Sequence, residues 1–278
     1  MRKEGKAVHA VAHLYLIFGV LLVLFPLYLL LVVSFKPLAA SAANFIAFPT
    51  SLYLENFKKV LSLGLYVNSI KNSVIVVVVP LLFVTTLVPM VSFAIARNAK
   101  RKRYYRYLYR YVIASLFVPF NAIMIPIVIL SAKLDMMNIP GLIILYVSLS
   151  FSQGTFLFTG YIRSLPTELD ESAYMDGCSV PRLFVSIIMP LCKPMIITVI
   201  ILNSLWYWND FMLPVVILNK SKYYQTLALF QYMFNDPYNF QYNLGFASYL
   251  MGMIPLLIVY LVAQKRVIGG LTSGALKG

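Results

Sequence analysis

Apolar residues run along this chain in long stretches separated by short polar segments. Six stretches, residues 14–33, 74–96, 111–132, 141–159, 195–218 and 244–263, reach about the 20 residues a helix needs to cross a bilayer. None alternates apolar and polar positions with the period of two that a membrane barrel requires. The pattern predicts an all-α, polytopic membrane protein with six transmembrane helices. The first stretch has the position of a secretory leader, but it is about 20 residues long and no small-residue cleavage site follows it. It reads as an uncleaved first span. Three regions follow from this layout: 1–69 with the first span and an external loop, a transmembrane core over 70–263, and a tail over 264–278.

Composition agrees with this reading. The 278 residues are 61% hydrophobic and only 12% charged, against about 45–50% and about 25% in soluble domains. Mean hydropathy is +0.82. Two cysteines, Cys178 and Cys192, are too few for a disulfide scaffold. The wealth of Phe, Tyr, Leu, Ile and Val excludes disorder.

The formal net charge of +14 is unevenly placed. With both termini cytoplasmic, the inner segments hold Arg2, Lys3 and Lys6, the basic run from Arg97 to Arg110, then Arg163, Arg182 and Lys193, and finally Lys265, Arg266 and Lys277. The outer segments keep the smaller share, which is the bias that sets orientation in membranes. The run KRKRYYRYLYR at 100–110 has the Arg/Tyr interleaving that could clamp a single-stranded nucleic acid. Lying between two spans, it reads instead as a loop that holds topology with its cations and places its tyrosines at the lipid headgroups. No nucleic-acid partner is expected.

Candidate chemistry is sparse. No G-x-x-x-x-G-K-[ST] phosphate loop occurs. His9 and His13 are four residues apart, but no Cys or carboxylate stands close enough to complete a metal site. Neither cysteine has a neighbouring His to make it a nucleophile. The chain is expected to be no enzyme and to carry neither metal nor cofactor.

The cytoplasmic loop 160–194 is unusually ordered for a loop. Pro166-Thr167 starts a helix, with Thr167 expected to cap towards Asp170. Glu168, Asp170 and Glu171 occupy its first turn, where the helix dipole favours anions. Gly177 ends it, and Ser179-Val180-Pro181 starts a second helix leading towards Pro190 and Pro194. A short acidic helix held under the membrane has the form of a docking element, although a solvated connector has the same composition.

Glu171-Ser172-Ala173, three residues, Gly177, nine residues, then Ile187-Ile188-Met189-Pro190 resembles the EAA---G---------I-LP signature of ABC importer permeases. Ser172 replaces the usual second Ala and Met189 the usual Leu. The segment Trp206-Tyr207-Trp208-Asn209-Asp210-Phe211 is similar to the Trp–Asn–acid segment of the carbohydrate uptake branch. The ending from Gly269 to Gly278 is similar to the tail of six-span, maltose-type permeases.

The resemblance implies a type I ABC importer permease fold in a bacterial inner membrane. It implies as partners a second permease subunit, two ATPase subunits, an external sugar-binding protein and the sugar itself. It makes the 160–194 loop the site of the coupling helix: Glu171 the acidic contact to the ATPase, Ala173 the small residue at a close approach, Gly177 the turn, and Asp176 a neighbour at a variable position. The sugar-importer reading competes with a permease of the same fold for polyamines, phosphonates or metal chelates, and with an ATP-independent channel or scaffold.

Polar residues inside spans mark candidates for a substrate path. In the fourth stretch Ser148, Ser152 and Thr155, with Thr159, fall on one helical face; small hydroxyls also pack one helix on another. In the fifth, Asn203, Trp206, Asn209 and Asp210 are placed on one face. Indole, amide and carboxylate match a sugar's ring faces and hydroxyls, and structural anchoring is the alternative. Prolines 80, 89, 119, 126, 190, 194, 214 and 255 lie in or beside the spans and are expected to bend them. In the external loop 219–243 the polar and aromatic Tyr232, Asn235, Asp236, Tyr238 and Asn239 are candidates for contact with the sugar-binding protein.

Overall fold

The computed structural model describes the backbone of residues 2–235 and 240–275 and the side chains of 11–235, 240–258 and 261. Among the described residues the chain is helical and contains no strand. Within the described residues the α-helices are, in order, α1 Arg2–Ser34, α2 Leu38–Ala43, α3 Glu55–Ser62, α4 Tyr66–Asn98, α5 Arg103–Ala114, α6 Phe120–Lys133 and α7 Ile139–Ser164, then α8 Glu168–Met175, α9 Val180–Leu183, α10 Met189–Leu191, α11 Lys193–Asn209, α12 Met212–Ile217, α13 Leu227–Tyr232 and α14 Tyr242–Ala275.

Three apolar helical segments among the described residues are long enough to span unbroken: Val11–Ser34, Tyr66–Asn98 and Ile139–Ser164. The third apolar stretch is not one straight helix, as its sequence suggested. The chain turns by 103° between Arg103–Phe117 and Phe120–Lys133. The cause is Pro119, which forces Val118 into extended backbone (ψ 113°) and ends the preceding helical turn. Each arm is shorter than the roughly 30 Å hydrocarbon core. The fifth stretch is also interrupted. α11 stops at Asn209, and Asp210 is extended before α12 begins. Upstream, the apolar segment Val180–Leu191 meets α11 at 69°. The sixth stretch lies in α14.

The chain divides into two compact units, residues 1–67 with 230–258 and residues 68–229 with 259–278. The first is tied by a buried asparagine. Asn56, fully buried on α3, donates its amide to the carbonyls of Ser34 (2.8 Å) and Lys36 (2.7 Å), and accepts from Asn243 on α14 at 2.6 Å. Its two donated bonds satisfy carbonyls at and just beyond the end of α1, where a helix runs out of its own donors.

The second unit is organised on α7. Leu142, Tyr146, Ser150, Gly154, Phe158 and Ile162, four residues apart, make one wholly buried face. Leu142 and Tyr146 belong to a core with Val76, Tyr207, Leu213 and Ile217; Phe158 and Ile162 belong to another with Val84, Val88, Leu183, Phe184 and Ile188. Where α4 packs on α7, a Cβ added to Gly154 would lie 3.0 Å from Val88 Cγ1. Small residues let membrane helices approach where no hydrophobic force drives them together. Gly154→Ile is therefore expected to lower the thermal unfolding midpoint in detergent by several degrees, and adding Val88→Ala to recover part of the loss. An unchanged midpoint in the single variant would show that α4 and α7 are not pressed together there.

Candidate functional site

Two groups of side chains stand out in the second unit, one near each end of α7. The first surrounds α8. Thr167 does not cap this helix with its side chain, as expected; its carbonyl accepts from the backbone N–H groups of Asp170 (2.9 Å) and Glu171 (3.1 Å). The carboxylate of Asp170 is engaged elsewhere. Arg97, in the last turn of α4, has Nε 2.7 Å from Asp170 Oδ2 and donates from Nη2 to Oδ1 at 3.0 Å. Arg97 Nη1 donates to the carbonyls of Ile162 (3.2 Å) and Leu165 (3.3 Å) at the end of α7. The Ile162 carbonyl also accepts the Leu165 N–H at 3.2 Å and, with proline at position 166, meets no N–H four residues on, so its second lone pair is available to the guanidinium. Both ionic side chains are nearly enclosed, at 12% and 11% exposure. Removing one partner of such a pair typically costs about 3–5 kcal/mol.

With Asp170 turned inward, the opposite side of α8 is open. Glu171, Ser172, Tyr174, Met175 and Asp176 are exposed, Met175 at 87%. Ala173 is not on that side: it is buried in the core containing Phe158, Ile162 and Leu183, so its small side chain permits close packing within the chain. Gly177 sits at φ +74°, its N–H bonded to the Tyr174 carbonyl (3.0 Å), and the N–H of Cys178 reaches the Ala173 carbonyl (2.9 Å). This is the paired 5→2 and 6→1 closure that a glycine in the left-handed region allows. α9 follows directly, so α8 is held by a pinned side chain at its start and a fixed turn at its end.

The second group lies where α11 gives way to α12. Asn203 is buried, its Nδ2 donating to the Val199 carbonyl at 3.1 Å. Asp210 accepts from the Tyr146 hydroxyl at 2.9 Å and, through its other oxygen, from the Met212 N–H at 3.1 Å. It thereby joins α7 to the start of α12. Tyr146 and Tyr207 are buried and stacked at 4.5 Å with 24° between the rings, and Trp206 packs on both at 5.7 and 5.3 Å. Ser150 shares a short hydrogen bond with the Tyr207 hydroxyl. Asn209 does not join this face; it is exposed, with its amide bonded to the Leu205 carbonyl at 2.8 Å. The bonds of Asp210 are those of an anchor. Trp206, at 37% exposure, and Asn209 are the two candidate path residues of α11 open to a ligand.

The hydroxyls of α7 divide similarly. Ser148 is exposed and bonds the Ile144 carbonyl, Ser152 shares a bond with Ser115, and Thr155 is fully buried. The segment after α12 is more structured than a simple loop: Asn68 and Asn72 of α4 donate to the Tyr223 carbonyl, and Asn72 also to that of Gln225 at 3.0 Å. Tyr232 and Asn235 are exposed; Asp236, Tyr238 and Asn239 lie outside the described residues. The sequence reading missed Arg97, Tyr146, Ser150 and Tyr207. The only signal for the last three was an aromatic or hydroxyl side chain inside an apolar run.

If Tyr146 and Asp210 act as an anchor, their loss should be coupled. Tyr146→Phe and Asp210→Asn are each expected to destabilise by about 1–3 kcal/mol, with a double variant less damaged than the sum. Unfolding in detergent measures this; simple additivity would remove the anchor.

Residues 89–271 match the family described as binding-protein-dependent transport system inner membrane component. The chain is 41% identical over 278 residues to the multiple sugar-binding transport system permease protein MsmG of Streptococcus mutans, covering all of both chains. It is 33% identical over 275 residues to the probable starch degradation products transport system permease protein AmyC of Thermoanaerobacterium thermosulfurigenes, covering 98% of this chain and 99% of that one. Among solved structures, a bacterial ABC transporter involved in the import of the acidic polysaccharide alginate superposes with a TM-score of 0.80, at 22% identity and 94% and 96% coverage. That likeness is one of fold.

Proposed function

The chain belongs to the binding-protein-dependent transport system inner membrane component family, and from that premise we propose that it is a membrane-spanning subunit of an ATP-driven importer of sugars, with oligosaccharides as the substrate class, since relatives are named for arabinooligosaccharides and for melibiose, raffinose and stachyose. The full-length 41% identity to a permease named for multiple sugars carries this reading. It forms the path with a second, similar permease, receives sugar from an external binding protein, and draws energy from ATP hydrolysed on separate subunits. Both termini are cytoplasmic, which places α8 on the side of the ATPase.

On this reading the exposed side of α8, with Glu171 and Asp176, enters the ATPase surface and Gly177 shapes the turn behind it. A charge-assisted contact on a rigid helix transmits displacement better than one on a mobile loop, because little of the motion is lost to rearrangement of the contact. Ala173 lets α8 lie close on its own chain. Trp206 and Asn209 offer an apolar ring and an amide to a passing sugar, and Ser148 adds an exposed hydroxyl on α7; Asp210 ties α7 to the start of α12. Tyr232 and Asn235, with Asp236, Tyr238 and Asn239, are the candidates for contact with the binding protein, where tyrosine and asparagine can mimic the stacking and hydrogen bonding of a sugar.

The test is the reconstituted complex in lipid vesicles with its binding protein. Oligosaccharides are expected to raise ATP hydrolysis severalfold, and Glu171→Lys to remove the ATPase subunits on co-purification while the permeases still insert. Stimulation by polyamines, phosphonates or metal chelates and by no sugar would contradict the sugar assignment. ATPase binding unaffected by Glu171→Lys would contradict the docking assignment.

A further inference from the structure

From the end of one long helix, Arg97 bonds the end of a second to the acidic helix that follows it. It leaves the last turn of α4, holds the Ile162 and Leu165 carbonyls of α7, and engages both carboxylate oxygens of Asp170 on α8. No rotation of α8 away from α4 or α7 is possible without breaking these bonds, and breaking them would leave a nearly enclosed guanidinium and carboxylate unpaired. The planar, always-charged guanidinium is needed for this. An ammonium has no fixed fork to address two carbonyls and a carboxylate at once.

We propose that Arg97 is a positioning residue for energy coupling: it makes α8 and the inner ends of α4 and α7 one rigid body, so that displacement of α8 becomes displacement of the two spans. The inference rests on the reading of α8 as the ATPase-docking helix and goes beyond it, since docking needs only the exposed side of α8. The buried side decides whether the spans follow. Asp170 is the counter-charge that orients Arg97. The Ile162 carbonyl is shared between the Leu165 N–H and the guanidinium, which ties Arg97 to the backbone turn that closes α7.

The experiment compares Arg97→Lys, Arg97→Gln, Asp170→Asn and Asp170→Glu in the full reconstituted complex, with Glu171→Lys alongside. The probes are radiolabelled raffinose and maltotriose, and the readout is sugar imported per ATP hydrolysed. Arg97→Lys, Arg97→Gln and Asp170→Asn are expected to keep the ATPase subunits bound and basal hydrolysis within about twofold of the parent, while import per ATP falls at least tenfold; Asp170→Glu retains most of it. Unchanged import per ATP in Arg97→Gln would overturn the proposal, and so would loss of the ATPase subunits or of folded protein in both Arg97 variants, since the residue would then serve docking or folding alone. If Glu171→Lys leaves ATPase binding and import intact, the docking reading itself has failed. If Glu171→Lys abolishes binding while Arg97→Gln still couples, only the role of Arg97 has failed.

Discussion

A guanidinium at the end of α4 carries more donors than one helix could satisfy, and it finds acceptors on two others. Arg97 draws on two carbonyls of α7 and both oxygens of Asp170. The arrangement of the α8 region depends on this. With Asp170 committed inward, Ala173 follows into the core and Glu171, Tyr174 and Met175 are turned outward. The turn at Gly177 then closes the helix, and Leu183 and Phe184 return the chain to the same core that Ala173 entered.

The other end of α7 solves a related problem with aromatic rings. α11 ends at Asn209 inside an apolar stretch, where a broken helix exposes backbone donors that lipid cannot satisfy. Asp210 accepts from the Met212 N–H and is itself held by the Tyr146 hydroxyl. The Tyr146–Tyr207 stack adds about 0.5–1.5 kcal/mol beyond the area it buries. One helix, α7, thus carries a polar lock at each end. The proposed function draws on both ends: α8 docks at one, and the break at Asp210 stands next to Trp206 and Asn209 at the other.

The helices were legible because apolar runs of this length have few other physical solutions. The start of α8 near Pro166, its end at Gly177 and the new start at Ser179 were legible for local reasons, since proline and glycine constrain their own backbone. What was not legible were bends and partners. Pro119 was visible as a kink, but a turn of 103° depends on what each arm packs against. Asp210 read as a polar residue in a span, and nothing local shows that it ends α11. Arg97 and Asp170 stand 73 positions apart and Tyr146 and Asp210 stand 64 apart, so each pair exists only once the fold has formed. Arg97 read as a topology charge and Asp170 as a helix-start carboxylate, and both readings are sound as far as one residue's surroundings go.

If Arg97 ties them together, α8 and the last turn of α4 move as one. The most direct measurement is the distance between spin labels at Lys100, just beyond α4, and Met175, at the exposed end of α8, in a chain lacking Cys178 and Cys192 and assembled in the full complex. The account requires the same mean and width of the distance distribution without nucleotide and with ATP trapped, even as labels elsewhere report opening and closing of the path. A shift of several ångströms on ATP binding, or a distribution that broadens markedly, would show that α8 moves independently and would contradict it.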